Sequence, residues 1–293
     1  MKRRLKTWLG TLLYASGVYR PLFRGRAVVV AFHRVRDDLP GNPVTCTTRE
    51  FREYCVFFRK YFRVVSLAEL FRRLDAGEDV SRCLAITFDD GYTDNLEVVA
   101  PELQRLGLPA CFFVATDYIG TARVPWWDEE YGVKTRWLTW EQVRALHSAG
   151  FEVGGHTCNH VDLGLVSGQE ARAEIEGSRQ RLQQELGTPV RFFSYPYGRR
   201  HQMLPENVAH VRAAGFDACF SAYGGSIRPG DDRFALLRTP VTPWHRSPGQ
   251  LGYELAIQQR SSAPSAPPTH SPTAAVRAVA PPGPASEESP AIR

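Results

Sequence analysis

The sequence predicts an α/β fold built from repeated strand–helix units. Short apolar runs of strand length alternate along the chain with longer segments of helical periodicity. The apolar runs are continuous rather than alternating, which is typical of parallel strands buried on both faces. Such units imply right-handed crossovers, in an open doubly wound sheet or a closed barrel. Both architectures place the chemistry at the carboxyl ends of the strands.

Six strands and six helices are predicted in this alternation. The predicted strands are Ala27–Phe32, Leu84–Phe88, Cys111–Ala115, Phe151–Val153, Val190–Phe193 and Ala218–Ser221. The predicted helices are Thr48–Tyr61, Leu67–Leu74, Asp94–Leu106, Trp140–Ser148, Gly168–Leu186 and Glu206–Ala214. Several of the helical segments are followed by a glycine that supplies a left-handed cap, namely Gly107, Gly150, Gly187 and Gly215.

Composition and charge limit the class of protein. The chain has 293 residues, of which 43% are hydrophobic and 23% charged, as in a globular protein with one large domain or two small ones. Its net charge of +5 comes from the first 26 residues, which carry seven basic residues and no acid; residues 27–260 have a net charge of −2. A mildly acidic body argues against binding of nucleic acid, so no such partner is expected.

The two ends of the chain differ from its body. Residues 1–26 form a basic and apolar arm, residues 27–260 the predicted globular domain, and residues 261–293 a tail rich in Ser, Ala and Pro that is predicted to be disordered.

The apolar part of the arm is too short to span a bilayer, and no clean signal-peptide cleavage site follows it. Three interpretations remain: an interfacial membrane helix, an atypical export signal, or a helix docked on the protein body. A location at a membrane surface or in the cytoplasm is favoured, with export to the cell envelope as the alternative. In the interfacial interpretation the residues that face lipid are Trp8, Leu9, Leu12, Leu13 and Tyr14.

The six cysteines form no C-x-x-C pair, which argues against a zinc ribbon or a thioredoxin-like motif. Buried reduced thiols are expected instead, and they favour a compartment that is not oxidising. The cysteines are Cys46, Cys55, Cys83, Cys111, Cys158 and Cys219.

Two adjacent carboxylates, Asp89 and Asp90, follow a predicted strand and precede Gly91. Neighbouring carboxylates repel each other unless they share a cation or one of them is protonated. The alternative interpretation is structural: Asp90 or Thr93 caps the following helix, and Gly91 makes the turn.

A second polar cluster, His156 and His160, follows another predicted strand behind Gly154 and Gly155. Histidines four residues apart lie on one side of a helical turn and can offer two imidazoles to a metal. An Asp/His/His set also leaves coordination positions open for water and substrate, which indicates catalysis rather than structural support. A histidine without a metal, on the surface or satisfied in the core, is the alternative.

These motifs resemble, in order and spacing, those of the polysaccharide deacetylase family (NodB-homology domain, carbohydrate esterase family 4). The matching segments are Val28–Val35, Ala85–Asn95, Gly107–Val114, Gly155–His160 and Phe193–Gly198. The resemblance implies a distorted (β/α) barrel of about seven strands. It also implies a metal-dependent hydrolase that removes N-acetyl groups from an N-acetylated glycan and releases acetate.

The resemblance assigns a role to each motif residue. Asp89 is the implied catalytic base. The implied metal ligands are Asp90, His156 and His160, and the expected metal is zinc, with cobalt, nickel and iron as alternatives. Tyr197, after Pro196, is implied to hold the oxyanion through its backbone N–H; an ordinary turn is the alternative there.

The chain departs from the family pattern at two places. Ser194 stands where the family has an arginine that orients the base, and no clean motif supplies the histidine that protonates the leaving amine. His245 is the best candidate for this acid, with His201 and His33 behind it.

Four tryptophans cluster around the loops after the predicted strand Cys111–Ala115. Aromatic faces stack on sugar rings, so these side chains are candidates for a glycan platform, with core packing as the alternative. They are Trp126, Trp127, Trp137 and Trp140.

Three other functions remain open. They are a deacetylase or deformylase of a small lipid-linked or sugar-linked amide, a non-catalytic glycan-binding protein, and an iron oxygenase that uses the Asp/His/His set.

Overall fold

The computed structural model describes residues 2–39, 41–245 and 247–261. Its strands are β1 (Val28–Phe32), β2 (Arg34–Val35), β3 (Thr45–Cys46), β4 (Arg63–Val64), β5 (Cys83–Phe88), β6 (Cys111–Val114), β7 (Glu152–Gly155), β8 (Phe192–Ser194), β9 (Ala218–Phe220) and β10 (Thr239–Pro240). Its α-helices are α1 (Lys2–Ala15), α2 (Thr48–Tyr61), α3 (Leu67–Asp75), α4 (Ala100–Leu106), α5 (Trp126–Glu129), α6 (Trp140–Ser148), α7 (Gly168–Leu186), α8 (Pro205–Ala213) and α9 (Pro248–Ser261).

A curled parallel sheet organises the fold, as expected for a distorted (β/α) barrel. Seven strands pair in the order β10–β1–β5–β6–β7–β8–β9, and β4 pairs with the start of β5. Leu236, shortly before β10, exchanges hydrogen bonds with Cys219 and Ser221 at β9, so the two ends of the sheet meet. Strands β2 and β3 form a separate parallel pair.

Both faces of the sheet are buried, as the continuous apolar runs predict. Along β1, Val28, Val30 and Phe32 join one apolar cluster, whereas Val29 joins a second cluster on the opposite face. The two faces therefore anchor every long strand, and the strand ends that carry the polar motifs are held in fixed positions.

Local capping signals explain why the predicted helix boundaries of α2, α6 and α7 are reproduced. Thr47 forms a capping box with Glu50, Thr139 forms another with Gln142, and the Ser167 side chain accepts a hydrogen bond from the backbone N–H of Glu170.

The predicted helix Asp94–Leu106 is wrong in its first part. A π-helical turn spans Asn95–Val99, and α4 begins only at Ala100. The Asp94 carboxylate is drawn away to accept a hydrogen bond from the backbone N–H of Val35, at 2.7 Å. Pro101, which lacks an N–H, prevents a regular hydrogen-bond ladder across the junction.

The N-terminal arm is a helix packed on the body. Helix α1 lies against α9, and Tyr14 is buried and stacks on Tyr19 at 4.4 Å between ring centroids. No described helix has both the length and the apolar character needed to cross a membrane. The tail predicted from residue 261 lies outside the described residues, apart from Ser261 at the end of α9.

All six cysteines are free thiols. Five are buried, and Cys158 is half-buried. This agrees with the expected reduced, buried thiols.

Candidate active site

The candidate site is a cavity of about 440 Å³ at the carboxyl ends of the strands. Asp89 and Asp90 follow β5, and His156 follows β7, so the sheet brings distant motifs to one place. This is the edge at which a parallel sheet of this type presents its functional residues. His160 and Tyr197 also line the cavity.

Asp89 is held by a buried arginine that the sequence analysis missed. Arg238 Nη1 donates to Asp89 Oδ1 at 2.8 Å, and Arg238 Nη2 donates to Asp89 Oδ2 at 2.7 Å. Arg238 Nη2 also donates to Ser194 Oγ at 2.6 Å, and its Nε donates to the Ser221 carbonyl at 2.8 Å. These contacts form a bidentate, charge-assisted pair in a fixed orientation.

The Arg238 pair determines the protonation state of Asp89. Burial alone raises the pKa of a carboxyl group, but here the charge and hydrogen bonds of Arg238 outweigh burial and hold the pKa of Asp89 below its ordinary value. Asp89 is therefore an ionised carboxylate at neutral pH, able to accept a proton.

Although Ser194 replaces an arginine of the family pattern, Asp89 still has an arginine that orients it. The guanidinium comes from Arg238, one residue before β10, and Ser194 contacts both that guanidinium and Asp89 Oδ2, the latter at 3.4 Å. The only signal in the sequence was an arginine in an otherwise apolar segment, Leu236-Leu237-Arg238.

Asp90 faces two imidazoles instead of a guanidinium. His156 Nε2 and His160 Nε2 each lie 3.3 Å from Asp90 Oδ1, and suitable ligand atoms of the three residues all lie within 4.8 Å of one another. All three side chains are buried. The interpretation of Asp90 as a helix cap is wrong, since the carboxylate is directed at the histidines and no side-chain cap is found at the following π-helical turn.

The hydrogen bonds of this cluster fit a cation. His156 Nδ1 lies 2.7 Å from the Ser194 carbonyl oxygen, which can only accept, so Nδ1 is the donor and Nε2 is the ring nitrogen that faces Asp90 and can offer a lone pair to a metal. Asp90 Oδ1 is buried and has no hydrogen-bond partner among the described residues. Lone pairs that converge on one point are the arrangement that a metal ion satisfies.

Backbone strain is concentrated at the same residues. Asp90 has φ +80°, Thr157 +62°, His160 +53° and Tyr197 +60°, in the left-handed region that residues other than glycine rarely adopt. Such strain clusters at functional sites, where the surrounding fold enforces it.

His245, the predicted general acid, lies outside the cavity lining. Its Nδ1 accepts a hydrogen bond from the Thr242 backbone N–H at 3.1 Å, and its Nε2 donates to Glu254 at 2.8 Å. Both ring nitrogens are thus engaged, and the structure does not bring His245 to the cavity with Asp89 and Asp90. His201 is also remote from the lining, with a ring nitrogen 3.7 Å from Asp162.

His33, which the sequence analysis placed behind His245 as a candidate acid, does lie at the cavity. It follows β1 and lines the cavity beside Asp89 and Asp90, and its buried Nδ1 has no hydrogen-bond partner in the described part of the chain. Burial lowers the pKa of His33, although the two carboxylates oppose this effect.

Two of the four candidate platform tryptophans line the cavity. Trp126 is 60% exposed, and Trp127 packs on the His160 ring at 4.7 Å between centroids. Trp137 is buried and stacks on Tyr92, and Trp140 packs against the core, so those two are structural.

Trp244, which the sequence analysis did not select, adds a further exposed ring at the cavity. Tyr197, beside Pro196, packs its ring against His160 at 5.0 Å between centroids. The predicted oxyanion segment therefore borders the cluster of Asp90, His156 and His160.

Comparison with known proteins gives the same family as the motifs. Residues 76–218 match the family model of the polysaccharide deacetylases. The Bacillus subtilis protein YxkH, whose name places it among polysaccharide deacetylases, is 26% identical over 162 residues, covering 55% of this chain and 52% of that protein. This chain thus spans about half the length of that relative.

A poly-beta-1,6-N-acetyl-D-glucosamine N-deacetylase of Staphylococcus epidermidis is 21% identical over 242 residues, covering 75% of this chain and 80% of the relative. Among solved structures, IcaB from Ammonifex degensii is 26% identical, with a TM-score of 0.64 over 79% of this chain and 97% of that one. The Streptococcus pyogenes deacetylase PplD has the same fold, with a TM-score of 0.66 at 20% identity over 78% of this chain and 98% of that one. Residues 76–218, about half of the chain, thus belong to the polysaccharide deacetylase family.

Proposed function

We propose that the protein is a metal-dependent hydrolase that removes N-acetyl groups from an N-acetylated glycan, releasing acetate and leaving a free amine. One observation carries the proposal. Two imidazole nitrogens converge on Asp90 directly beside Asp89, a carboxylate kept ionised by Arg238, at the base of a cavity lined with aromatic rings.

Asp90, His156 and His160 would hold a divalent cation. Two nitrogen donors and one oxygen donor suit zinc, with cobalt, nickel and iron as alternatives. When bound, such a cation would polarise the amide carbonyl and favour the ionisation of a water molecule.

The surrounding residues account for the movement of protons. Asp89 would accept a proton from the water that attacks the acetyl carbon, and Arg238 and Ser194 keep its carboxylate oriented. The backbone N–H of Tyr197 is proposed to stabilise the oxyanion. The C–N bond then breaks, the nitrogen takes a proton from the imidazolium form of His33, and acetate leaves. His33 is proposed because its ring lines the cavity next to both carboxylates, whose charges favour the imidazolium form against the effect of burial.

The proposed substrate is a polymer or oligomer that contains N-acetylglucosamine. Trp126, Trp127 and Trp244 border the cavity and can stack on sugar rings. The name of the Staphylococcus epidermidis relative specifies a polymer of this sugar. The acidic net charge of residues 27–260 gives no support to a nucleic-acid partner.

The test is acetate release from a panel of N-acetylglucosamine oligomers of different linkage, using the full chain after metal removal and after titration with zinc, cobalt, nickel or iron(II). We expect release that depends on the added metal and increases from the monosaccharide to the oligomers. Release that is unaffected by metal removal would contradict the metal-dependent mechanism. A protein that binds metal but releases acetate from no glycan would contradict the proposed substrate.

A second candidate is a deacetylase of a small lipid-linked or sugar-linked amide. It is favoured by the exposed apolar residues Leu5, Trp8 and Leu12 on α1, which suit work at a lipid surface. Including a lipid-linked N-acetylglucosamine in the panel separates the two candidates, because only the second predicts a preference for it over a soluble oligomer.

A further inference from the structure

Helix α1 has two unlike faces, and one of them is fixed to the protein body. Lys6 Nζ lies 3.0 Å from Glu254 Oε1, and Thr7 Oγ1 lies 3.0 Å from Ser247 Oγ. These contacts join the helix to α9 and to the residue just before α9.

Glycines bring the two helices into close contact. A Cβ atom added to Gly10 would lie 1.8 Å from the Gly249 carbonyl oxygen, and one added to Gly249 would lie 2.5 Å from Thr11 Oγ1. A Cβ atom on Gly252 would lie 2.7 Å from the Tyr14 ring. The backbones have no room for side chains here, so the docked face, and with it the orientation of the opposite face, is determined by packing.

The opposite face is apolar and exposed. Leu5 is 55% exposed, Trp8 62% and Leu12 52%. Their spacing of i, i+3 and i+7 aligns them in one row along the helix, which we call the α1 stripe. Single exposed apolar residues are common, but a continuous row that includes a tryptophan indicates an interaction surface.

Basic residues flank the α1 stripe along the chain. Arg3 and Arg4 are exposed at the start of the helix, and Arg20 and Arg24 are exposed after its end. The sequence has no acidic residue before Asp37. A second copy of the chain would bring the same positive charges against this face, whereas an anionic surface would neutralise them.

We propose that the α1 stripe binds the surface of an anionic lipid bilayer, with the leucine and tryptophan side chains in the interface and the arginines on the lipid headgroups. An apolar face flanked by basic residues is the arrangement of helices that lie in the plane of a membrane. The proposal does not depend on hydrolase activity.

Binding in this way would place the catalytic cavity near the bilayer. Trp244 lines the cavity, and Ser247, three residues later, is hydrogen-bonded to Thr7 beside Trp8. A short segment therefore connects the rim of the cavity to the docked face of α1. The enzyme would meet its glycan where the glycan emerges from, or is attached to, a membrane.

The test is co-sedimentation of the full chain with vesicles of pure phosphatidylcholine and with vesicles that also contain phosphatidylglycerol. We expect binding to the anionic vesicles that weakens as salt is added, because the headgroup attraction is screened. The triple variant Leu5→Ser, Trp8→Ser, Leu12→Ser is expected to lower the partition coefficient at least about tenfold. The double variant Arg3→Gln, Arg4→Gln is expected to lower it roughly tenfold on the anionic vesicles.

Two controls isolate the α1 stripe. Leu165→Ser removes the side chain of a more exposed leucine, 81% exposed, on a different loop and should leave binding unchanged. Arg172→Gln with Arg181→Gln removes two charges from exposed arginines on α7 and should also leave binding unchanged.

The triple variant should have the same melting temperature as the wild type and release acetate from a soluble oligomer at the same rate. These two measurements check that its fold is intact. Equal binding of the triple variant and the wild type to anionic vesicles would overturn the proposal. The proposal would also be overturned if the wild type formed a concentration-dependent dimer and the triple variant did not, because the α1 stripe would then bind a second copy of the chain.

Discussion

Asp89 and Asp90 are neighbours in the sequence but lie in opposite chemical environments. Both carboxylate oxygens of Asp89 accept hydrogen bonds from Arg238. The Oδ1 atom of Asp90 has no hydrogen-bond partner among the described residues and faces two imidazole nitrogens. At Asp89, burial raises the pKa but is outweighed by Arg238, so the pKa is held below its ordinary value.

The different surroundings of Asp89 and Asp90 result from the order of the strands in the sheet rather than from the local sequence. The guanidinium arrives beside β10 and the imidazoles arrive after β7, on opposite sides of β5 in the sheet. In the proposed mechanism, binding of a cation at Asp90 and acceptance of a proton at Asp89 are therefore separable functions. The predictions below test that separation, beginning with the largest expected effect.

Loss of an imidazole should be the most damaging change. His156→Ala removes one of the two nitrogens that face Asp90, so we expect metal affinity to fall at least about a hundredfold and acetate release to fall to background. Metal analysis and the acetate assay measure the two effects. His147→Ala, which changes a histidine of α6 away from the cavity lining, is the control and should preserve both. A His156→Ala protein with wild-type metal content would refute the assignment of the ligands.

Asp89→Asn should separate the two roles. The amide cannot accept the proton, so we expect kcat to fall by about 10²- to 10⁴-fold while one metal ion per chain is retained. Steady-state kinetics and metal analysis on the same preparation provide the measurement. Asp217→Asn changes an aspartate that is paired with Arg191 outside the cavity lining and should have no effect on kcat. Full activity of the Asp89→Asn protein would rule out its role as base.

Arg238→Lys should shift the pH dependence of the reaction. Without the bidentate guanidinium the pKa of Asp89 rises, and because the ionised form is active, the acid limb of kcat/KM should move to higher pH. The stabilising effect of the native pair is present when Asp89 is ionised and is lost as pH falls through its folded-state pKa. We expect kcat/KM at neutral pH to fall about tenfold.

A matched control exists for this change. Arg34 forms an equally buried bidentate pair with Asp128, at 2.8 and 2.7 Å, but neither residue lines the cavity. Arg34→Lys should lower the melting temperature as Arg238→Lys does, without moving the acid limb. If both variants moved the acid limb equally, the effect of Arg238 would be a general loss of packing.

Trp126→Ala should have the smallest effect. The ring is exposed at the cavity, so its loss should raise KM for oligomers about fivefold and leave kcat and the melting temperature unchanged. Trp8→Ala removes a ring of similar exposure, 62%, on α1 and should leave KM for soluble oligomers unchanged. An equal KM for the wild type and Trp126→Ala would show that the Trp126 ring does not contribute to binding of the oligomer.

The sequence predicts elements whose signals are local. The bounds of α2, α6 and α7 follow from capping residues within three positions of the helix start, and the long strands follow from continuous apolar runs. The four two-residue strands β2, β3, β4 and β10 were missed, because so short a segment has no periodicity. Helix α9 was also missed; it is held by its contacts with α1 rather than by a strong apolar pattern of its own.

The residues of the site also divide into those with a local sequence signal and those that depend on distant contacts. Asp89, Asp90, His156 and His160 lie in short motifs, and the structure brings them together as expected. The only local signal of Arg238 is its place in an apolar segment, and it does not reveal the partner, because Asp89 is 149 positions away and only the closure of the sheet joins them. His245 was selected from its position in the chain, whereas its contacts with Thr242 and Glu254 depend on the docking of α9.

Calorimetric titration of the metal-free wild type, Asp89→Asn and Asp90→Asn proteins with Co²⁺ tests the division between the two aspartates most directly. We predict one site per chain in the wild type and in Asp89→Asn, with affinities within about fivefold of each other. Asp90→Asn should bind at least about a hundredfold more weakly, because it removes the carboxylate on which both imidazoles converge. Equal losses in Asp89→Asn and Asp90→Asn would contradict the account, since the two carboxylates would then share one role.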